Sequence, residues 1–321
     1  MKDNELKIFS GSSNPELAKK ICKVLDVPPG ILTTKTFSDG EIWVRFDENI
    51  RGQDVFIIQS TGQPSDNMIE LLIILDAAKR SSAGRITVVL PYYGYARQDR
   101  KDQPRVPISA RLFMDMIVKA GANRIIAMDL HSMQIQGYVD IPFDHLFSRP
   151  AFMKHFRAKG IFDDPNVMVV APDMGSVARS RSIAMYMQKG LAIIDKRRTG
   201  HNRAEAMNII GDVSGKRCLI IDDMVDTAGT IVAAAEHLKA VGASEVMCAF
   251  THAVLSGPAI ERLKTSEIST LFTTDTIALP AEKILPNMEI VTVAPILASS
   301  ILRSHRNESI SDLFYEFNVE S

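Results

Sequence analysis

Apolar runs of strand length alternate with amphipathic runs of helix length along the whole chain. That order predicts an α/β fold with largely parallel sheets, because parallel neighbours need a crossover and a helix is the usual one. LKIFSGSS reads as a strand closed by a Gly/Ser turn, and NPELAKKICKVL as a helix opened by Asn14 and Pro15. EIWVRF alternates, with Ile42, Val44 and Phe46 on one face, while DVFIIQS is a buried strand. Asp66 or Asn67 is the expected cap of MIELLIILDAAKRS, and Gly121 the expected end of ISARLFMDMIVKAGA. RIIAMDLH is a strand ending in Asp129 and His131. After LFSRPAF the scheme repeats, with VMVVAPD, LAIIDKRR, CLIIDD, EVMCAFTHA and TLFTTD as strands. The chain of 321 residues is therefore expected to form two similar domains, each a mostly parallel sheet flanked by helices. The boundaries are 1–147 and 148–305, with the tail 306–321 either a strand returning to the first domain or a frayed end.

Charge narrows the partners. Lys and Arg number 37 against 38 Asp and Glu, with no block of one sign, which argues against a nucleic-acid binder. No apolar run approaches the ~20 residues of a membrane helix, and MKDNELKIFS has no apolar signal core. Cys22, Cys218 and Cys248 are widely spaced, two of them in strand-like runs, as buried thiols of a cytoplasmic protein would be.

In open parallel sheets ligands bind beyond the carboxyl ends of the strands. Those ends carry Asp129 and His131, Asp173, Lys196 to Arg198, Asp222 and Asp223, and Asp275. Acids and cations at one kind of rim point to a metal-bound phosphate compound. In DDMVDTAGT, small residues Thr227 to Thr230 open a helix, where backbone N–H groups can wrap an anion. Asp222 and Asp223 are suited to sugar hydroxyls; the plainer alternative is a helix capped by Asp226. PYYGYARQDRKDQPR is either a solvated loop or a purine-stacking segment whose Arg97 and Arg100 meet phosphates. FSDGE is a turn whose Asp39 and Glu41 could bond an adenine amino group or a ribose hydroxyl. His131, with Asp129, Asp140 and Asp144 nearby, is either structural or a contact to weakly held Mg2+. GDVSGKR is one residue short of a P-loop, has Arg217 in place of Ser or Thr, and reads as a hairpin turn.

FSDGE, PYYGYARQDRK, MDLHSMQIQGYVDIP, APDMGSVARSR, DKRR, IIDDMVDTAGT and THAVLSGPA occur in the order seen in ribose-phosphate pyrophosphokinases, which this chain resembles over nearly its whole length. The resemblance implies a phosphoribosyltransferase-like fold and transfer of the diphosphoryl group of ATP to the anomeric hydroxyl of ribose 5-phosphate. It implies that Asp226, Thr227, Ala228, Gly229 and Thr230 hold the 5-phosphate, Asp222 the ribose hydroxyls and Arg198 the sugar phosphate. Asp39, Gly40, Glu41, Arg97 and Gln98 match the ATP contacts, His131 and Asp173 the Mg2+ positions, and Lys196 the catalytic lysine. It also implies a homohexamer activated by phosphate and inhibited by ADP. The chain departs from the family at Ala171, Ser176, Asp275 and Asp312, where Ser, Gly, Asn and Tyr are usual, and Ser176 is expected to restrict the backbone beside Asp173. A non-catalytic regulatory paralogue and a phosphoribosyltransferase are the competing readings. The first would be expected to lose residues such as Lys196, and the second leaves the Tyr/Arg loop without a role.

Overall fold

The structure, a computed structural model, describes residues 4–197 and 206–311. The chain divides into two compact units, the first running to Ser148 and the second beginning at Arg149. In the first unit the elements are β1 (Leu6–Ser10), α1 (Pro15–Leu25), β2 (Leu32–Thr36), β3 (Ile42–Phe46), β4 (Asp54–Ile58), α2 (Asp66–Arg80), β5 (Arg85–Leu90), α3 (Ser109–Ala120), β6 (Arg124–Met128) and β7 (Phe143–Leu146). β1, β4, β5, β6 and β7 form one sheet in that order, every pair parallel, while β2 and β3 form a separate antiparallel hairpin.

Alternation along the strands splits the apolar residues between two layers. Val55 and Ile57 pack with Leu71 and Ile74 of α2 and Met114 and Ile117 of α3. Phe56 and Ile58 pack on the other face with Leu17 and Ile21 of α1. Asn14 Oδ1 accepts from Leu17 N–H at 3.3 Å and so caps α1, and Gly121, at φ 143°, closes α3 in a conformation only glycine adopts readily. α2 departs from expectation. Its N-cap is Ser65, which makes no side-chain cap bond; Asp66 sits in the first turn, and Asn67 Nδ2 donates backward to Gly62 O at 3.0 Å.

The second unit contains α4 (Arg149–Ala158), β8 (Val167–Ala171), α5 (Val177–Met187), β9 (Gly190–Arg197), β10 (Ala206–Ile210), β11 (Arg217–Val225), α6 (Gly229–Ala240), β12 (Glu245–Ala253), α7 (Ala259–Lys264), β13 (Thr270–Thr274) and β14 (Met288–Val291). The sheet order is β10-β9-β8-β11-β12-β13-β14, parallel except for the β10 edge strand. α4 and α5 cover one face through Phe152, Phe156, Ile183 and Met187, and α6 and α7 the other through Ile231, Leu238 and Leu263. GDVSGKR is not a hairpin turn. It joins β10 to β11, which are separated in the sheet by β9 and β8, and it turns at Gly211 and Gly215, both with positive φ.

The last helix, α8 (Ala294–His305), corrects the expected domain boundary. The described residues 292–311, with Thr276–Ala278, belong to the first unit, not to a continuous domain 148–305. The reason is apolar: Leu297, Ala298 and Ile301 enter the core of Ile8, Leu17, Ile21 and Phe56, and Ile310 follows them. Asp54, wholly buried at the start of β4, fastens this return. It accepts from Arg85 Nε at 2.8 Å and lies 2.8 Å from His305 Nδ1, while Arg85 Nη2 donates to Ser304 O at 2.9 Å. Residues 312–321, with Asp312, lie outside the described residues.

Candidate active site

The strand order of the second unit reverses at one place. From β8 the chain passes through α5 to β9 on one side, and then returns to place β11 on the other side of β8. A reversal of this kind leaves a crevice at the carboxyl ends of the two strands, the usual ligand position in such sheets. The five-stranded sheet of the first unit has its strands in sequential order and no such reversal. β11 also outruns its neighbour. Its pairing with β8 ends at Ile220, whereas its pairing with β12 continues to Val225. Asp222 and Asp223 thus lie inside the strand, not after it, on the stretch that β8 leaves uncovered.

Because side chains alternate, the two acids enter different layers. Asp223, buried, faces α5, where Arg179 Nη1 stands 3.2 Å from its Oδ1. Asp222, half-buried, faces the α6 side and accepts the Asp223 N–H at 2.9 Å on Oδ1. Burial, and then the neighbouring Asp223 charge, push the Asp222 carboxyl well above its ordinary pKa. Burial and the Asp222 charge likewise raise the Cys248 thiol, which is inert in the core.

The turn that follows is a nest of backbone. Ala228 is left-handed at φ 61°, α6 begins at Gly229, and no side chain caps its N-terminus. The first N–H groups of a helix have no partner within it, and the dipole makes that end attractive to anions. Asp226 is not the N-cap: its Oδ1 accepts from the Ser256 hydroxyl. Thr227 and Thr230 are exposed.

Asp173 follows β8. Its Oδ1 accepts from Ser176 N–H at 2.9 Å, and the Ser176 hydroxyl donates to Asp173 O at 2.9 Å. Ser176 has φ −86°, open to any residue, so the expected restriction of the backbone does not arise. Lys196 lies in β9 opposite Met207 of β10; its side chain, and all of Arg198, lie outside the described residues. Asp275 is buried after β13 and donates its N–H to Val291 O at 3.3 Å.

In the first unit, Asp39, Gly40 and Glu41 form the exposed tip of the β2–β3 hairpin. Phe37 N–H donates to Glu41 O at 2.8 Å, Glu41 N–H to Asp39 Oδ1 at 3.1 Å, and Gly40 takes φ 96°. Arg97 and Gln98 are exposed ahead of α3, and Gln98 Oε1 accepts from the Ser109 hydroxyl at 2.6 Å. Two of the three aromatics of the same loop are core, against the expectation of a solvated or purine-stacking segment, while Tyr95 is half-buried. Tyr92 and Tyr93 are buried, the Tyr93 hydroxyl donates to Ala110 O at 2.7 Å, and Tyr95 stacks on Phe113 at 4.2 Å. His131 is exposed just beyond β6. Two of its three acidic neighbours are otherwise engaged, and Asp140 is exposed: buried Asp129 accepts from Ser148 N–H at 3.0 Å, and Asp144 from Arg124 Nη1 at 2.5 Å. Among the described residues no group of three or more His, Cys, Asp or Glu is placed to hold a metal. No described helix is long and apolar enough to cross a membrane, and Cys22, Cys218 and Cys248 are buried free thiols.

Arg179, Ser256 and Arg262 escaped the sequence reasoning. Arg179 and Ser256 stand in recognisable segments and Arg262 just beyond one, but only the fold brings each to the acids or the turn.

Comparison with known proteins supplies the rest. Residues 6–121 match the N-terminal domain of ribose phosphate pyrophosphokinase, and residues 198–315 match a phosphoribosyl synthetase-associated domain. The chain is 53% identical over 312 residues to a ribose-phosphate pyrophosphokinase of Clostridium perfringens, covering 97% of this chain and 98% of that one. It is 51% identical over 317 residues to the enzyme of that name from Chlorobaculum tepidum, covering 99% and 97% of the two chains. The crystal structure of phosphoribosylpyrophosphate synthetase from Mycobacterium smegmatis superposes with a TM-score of 0.88 at 41% identity, covering 94% of this chain and 99% of that chain. With an uncapped helix end at the sheet's reversal and likeness of this extent, the chain belongs to the ribose-phosphate pyrophosphokinase family.

Proposed function

We propose that the chain is an ATP-dependent diphosphotransferase that moves the diphosphoryl group of ATP to the C1 hydroxyl of ribose 5-phosphate. The products are AMP and 5-phosphoribosyl 1-diphosphate, which feeds nucleotide biosynthesis. One observation carries the placement of the sugar: the uncapped turn Asp226–Thr230 opens α6 beside the β8–β11 crevice, with Asp222 four residues upstream. Backbone N–H groups of Thr227, Ala228, Gly229 and Thr230 bind the 5-phosphate, and the Asp222 carboxylate accepts from ribose hydroxyls. Arg198 meets the sugar phosphate.

On the nucleotide side, Asp39, Gly40 and Glu41 bind the adenosine part of ATP, and Arg97 with Gln98 the nucleotide and its phosphates. Phosphoryl transfer asks a protein mainly to align the attacking and leaving oxygens and to neutralise charge. Lys196 is the catalytic residue, a fixed cation for the oxygens of the transferred group. On family resemblance His131 and Asp173 are each Mg2+ contacts: an exposed imidazole and a carboxylate each suit a hard ion that takes most of its ligands from phosphates and water. The chemistry supplied by bound Mg2+ is charge neutralisation on the phosphate oxygens. We place the protein in the cytoplasm as a homohexamer, on family resemblance.

The test is product identity. Purified protein given ATP, Mg2+ and ribose 5-phosphate is expected to release AMP, not ADP, and only when the sugar is present. Lys196→Ala is expected to lower kcat by about 100-fold or more with an unchanged melting temperature. No AMP in the presence of phosphate, or AMP independent of the sugar, refutes the assignment.

A further inference from the structure

The segment from Val254 to Arg262 has no role in the reaction described so far, yet it grips the phosphate turn residue by residue. Leu255 N–H donates to Val225 O at 3.0 Å and Ser256 N–H to Asp226 O at 2.9 Å. The Ser256 hydroxyl donates to Asp226 Oδ1, and Arg262 Nη1 donates to Thr227 O at 3.0 Å. Three consecutive carbonyls, of residues 225, 226 and 227, are therefore held by one neighbouring stretch of chain.

In a trans peptide the N–H points opposite to the C=O. Fixing these carbonyls toward the brace turns the N–H groups of Asp226, Thr227 and Ala228 away from it, which is how successive amides make an anion-binding concavity. The brace is held under tension. Leu255 is left-handed at φ 46°, costly for a bulky side chain, and it stays there with its side chain buried in the core of the second unit. Arg262 is exposed, yet a Cβ on Gly229 would come within 3.2 Å of its Nη1, so the guanidinium lies directly against the first residue of α6.

We propose that Arg262 and Ser256 are positioning residues for ribose 5-phosphate. Through Thr227 O and the Asp226 carboxylate they hold the turn, before the sugar arrives, in the shape its phosphate requires. Pre-organised donors bind better because less order is lost on binding. The inference rests on the assignment of the 5-phosphate to Asp226–Thr230.

Steady-state kinetics with each substrate varied in turn test it, using Arg262→Met, which keeps the apolar stem and removes the donors, Arg262→Lys and Ser256→Ala. Arg262→Met is expected to raise KM for ribose 5-phosphate about tenfold, the worth of one hydrogen bond from a charged donor. KM for ATP should stay within about twofold, and Arg262→Lys should recover most of the loss because an ammonium can reach the same carbonyl. Ser256→Ala should act in the same direction and serves alone if Arg262→Met does not fold. A KM for the sugar unchanged in all three variants overturns the inference, as does an equal rise for both substrates or a lysine variant as impaired as the methionine one. If the wild-type protein releases no AMP from ATP and ribose 5-phosphate, the functional assignment itself has failed; loss confined to the brace variants leaves that assignment standing.

Discussion

Successive residues of a strand face opposite ways, so Asp222 and Asp223 carry the same charge into different surroundings. Asp223 has a guanidinium 3.2 Å away, whereas the side chain of Asp222 faces the side lined by the Cys248 thiol. Burial and the Asp223 charge raise the Asp222 pKa, so the folded state holds that proton more tightly than the unfolded chain does. The stability linked to Asp222 is then complete below its unfolded pKa near ~4 and is lost as pH rises through the folded value. Asp222→Asn keeps an acceptor for the Asp223 N–H and removes the charge. The ligand-free variant should melt roughly 2–4 °C higher than wild type at pH 7.5, with the gap closing toward pH 4. Its KM for ribose 5-phosphate should rise at the same time. Equal melting curves at pH 7.5 would show that the carboxylate bears no strain in the apo site.

At the scale of the element, β11 is anchored at one end and used at the other. Arg217, at its start, donates through Nε to Glu245 Oε2 at 2.5 Å and through Nη1 to Asp164 Oδ2 at 2.7 Å. These bonds explain why Arg stands where a P-loop would have Ser or Thr. The Arg217 hydrogen bond lowers the Asp164 pKa; burial opposes the Glu245 carboxylate, but bonds from Arg217 and Ser269 outweigh it and its pKa is also lowered. Carboxylates depressed in the folded state stabilise above their unfolded pKa values and lose that contribution as pH falls through the folded ones. Arg217→Met should cost about 1 kcal/mol at pH 7, or roughly 2–4 °C in Tm. Thermal melts between pH 6 and 3 should fall less steeply for the variant than for wild type; parallel curves would mean the fork is electrostatically idle.

For the whole molecule, the chain leaves the first unit at Ser148 and returns to it with α8. Asp54, at the amino end of β4, receives that return through Arg85 and His305. Ligands in such sheets sit at the carboxyl ends, so Asp54 belongs to stability and not to catalysis. Asp54→Asn leaves the Arg85 guanidinium without its counter-charge, at a cost of about 2–3 kcal/mol, or roughly 4–10 °C in Tm. At 25 °C both KM values and kcat should match wild type. A variant that melts normally but turns over slowly would reverse the assignment.

Residue order alone fixed the α/β class, the cap of α1 by Asn14, the closure of α3 by Gly121 and the turn after Asp226, because each depends on periodicity or on a dihedral preference local in the chain. Tyr92 and Tyr93 were misread because polar punctuation hid residues that only packing could bury. The boundary expected after residue 147 did not foretell the return of α8, since an apolar stripe does not name the core it will join. The uncovered end of β11, the opposed faces of Asp222 and Asp223, and the hold of Ser256 and Arg262 on the turn were decided by the tertiary structure. Strand order and register bring together residues some 30 or more positions apart, and no local pattern encodes which of them will meet.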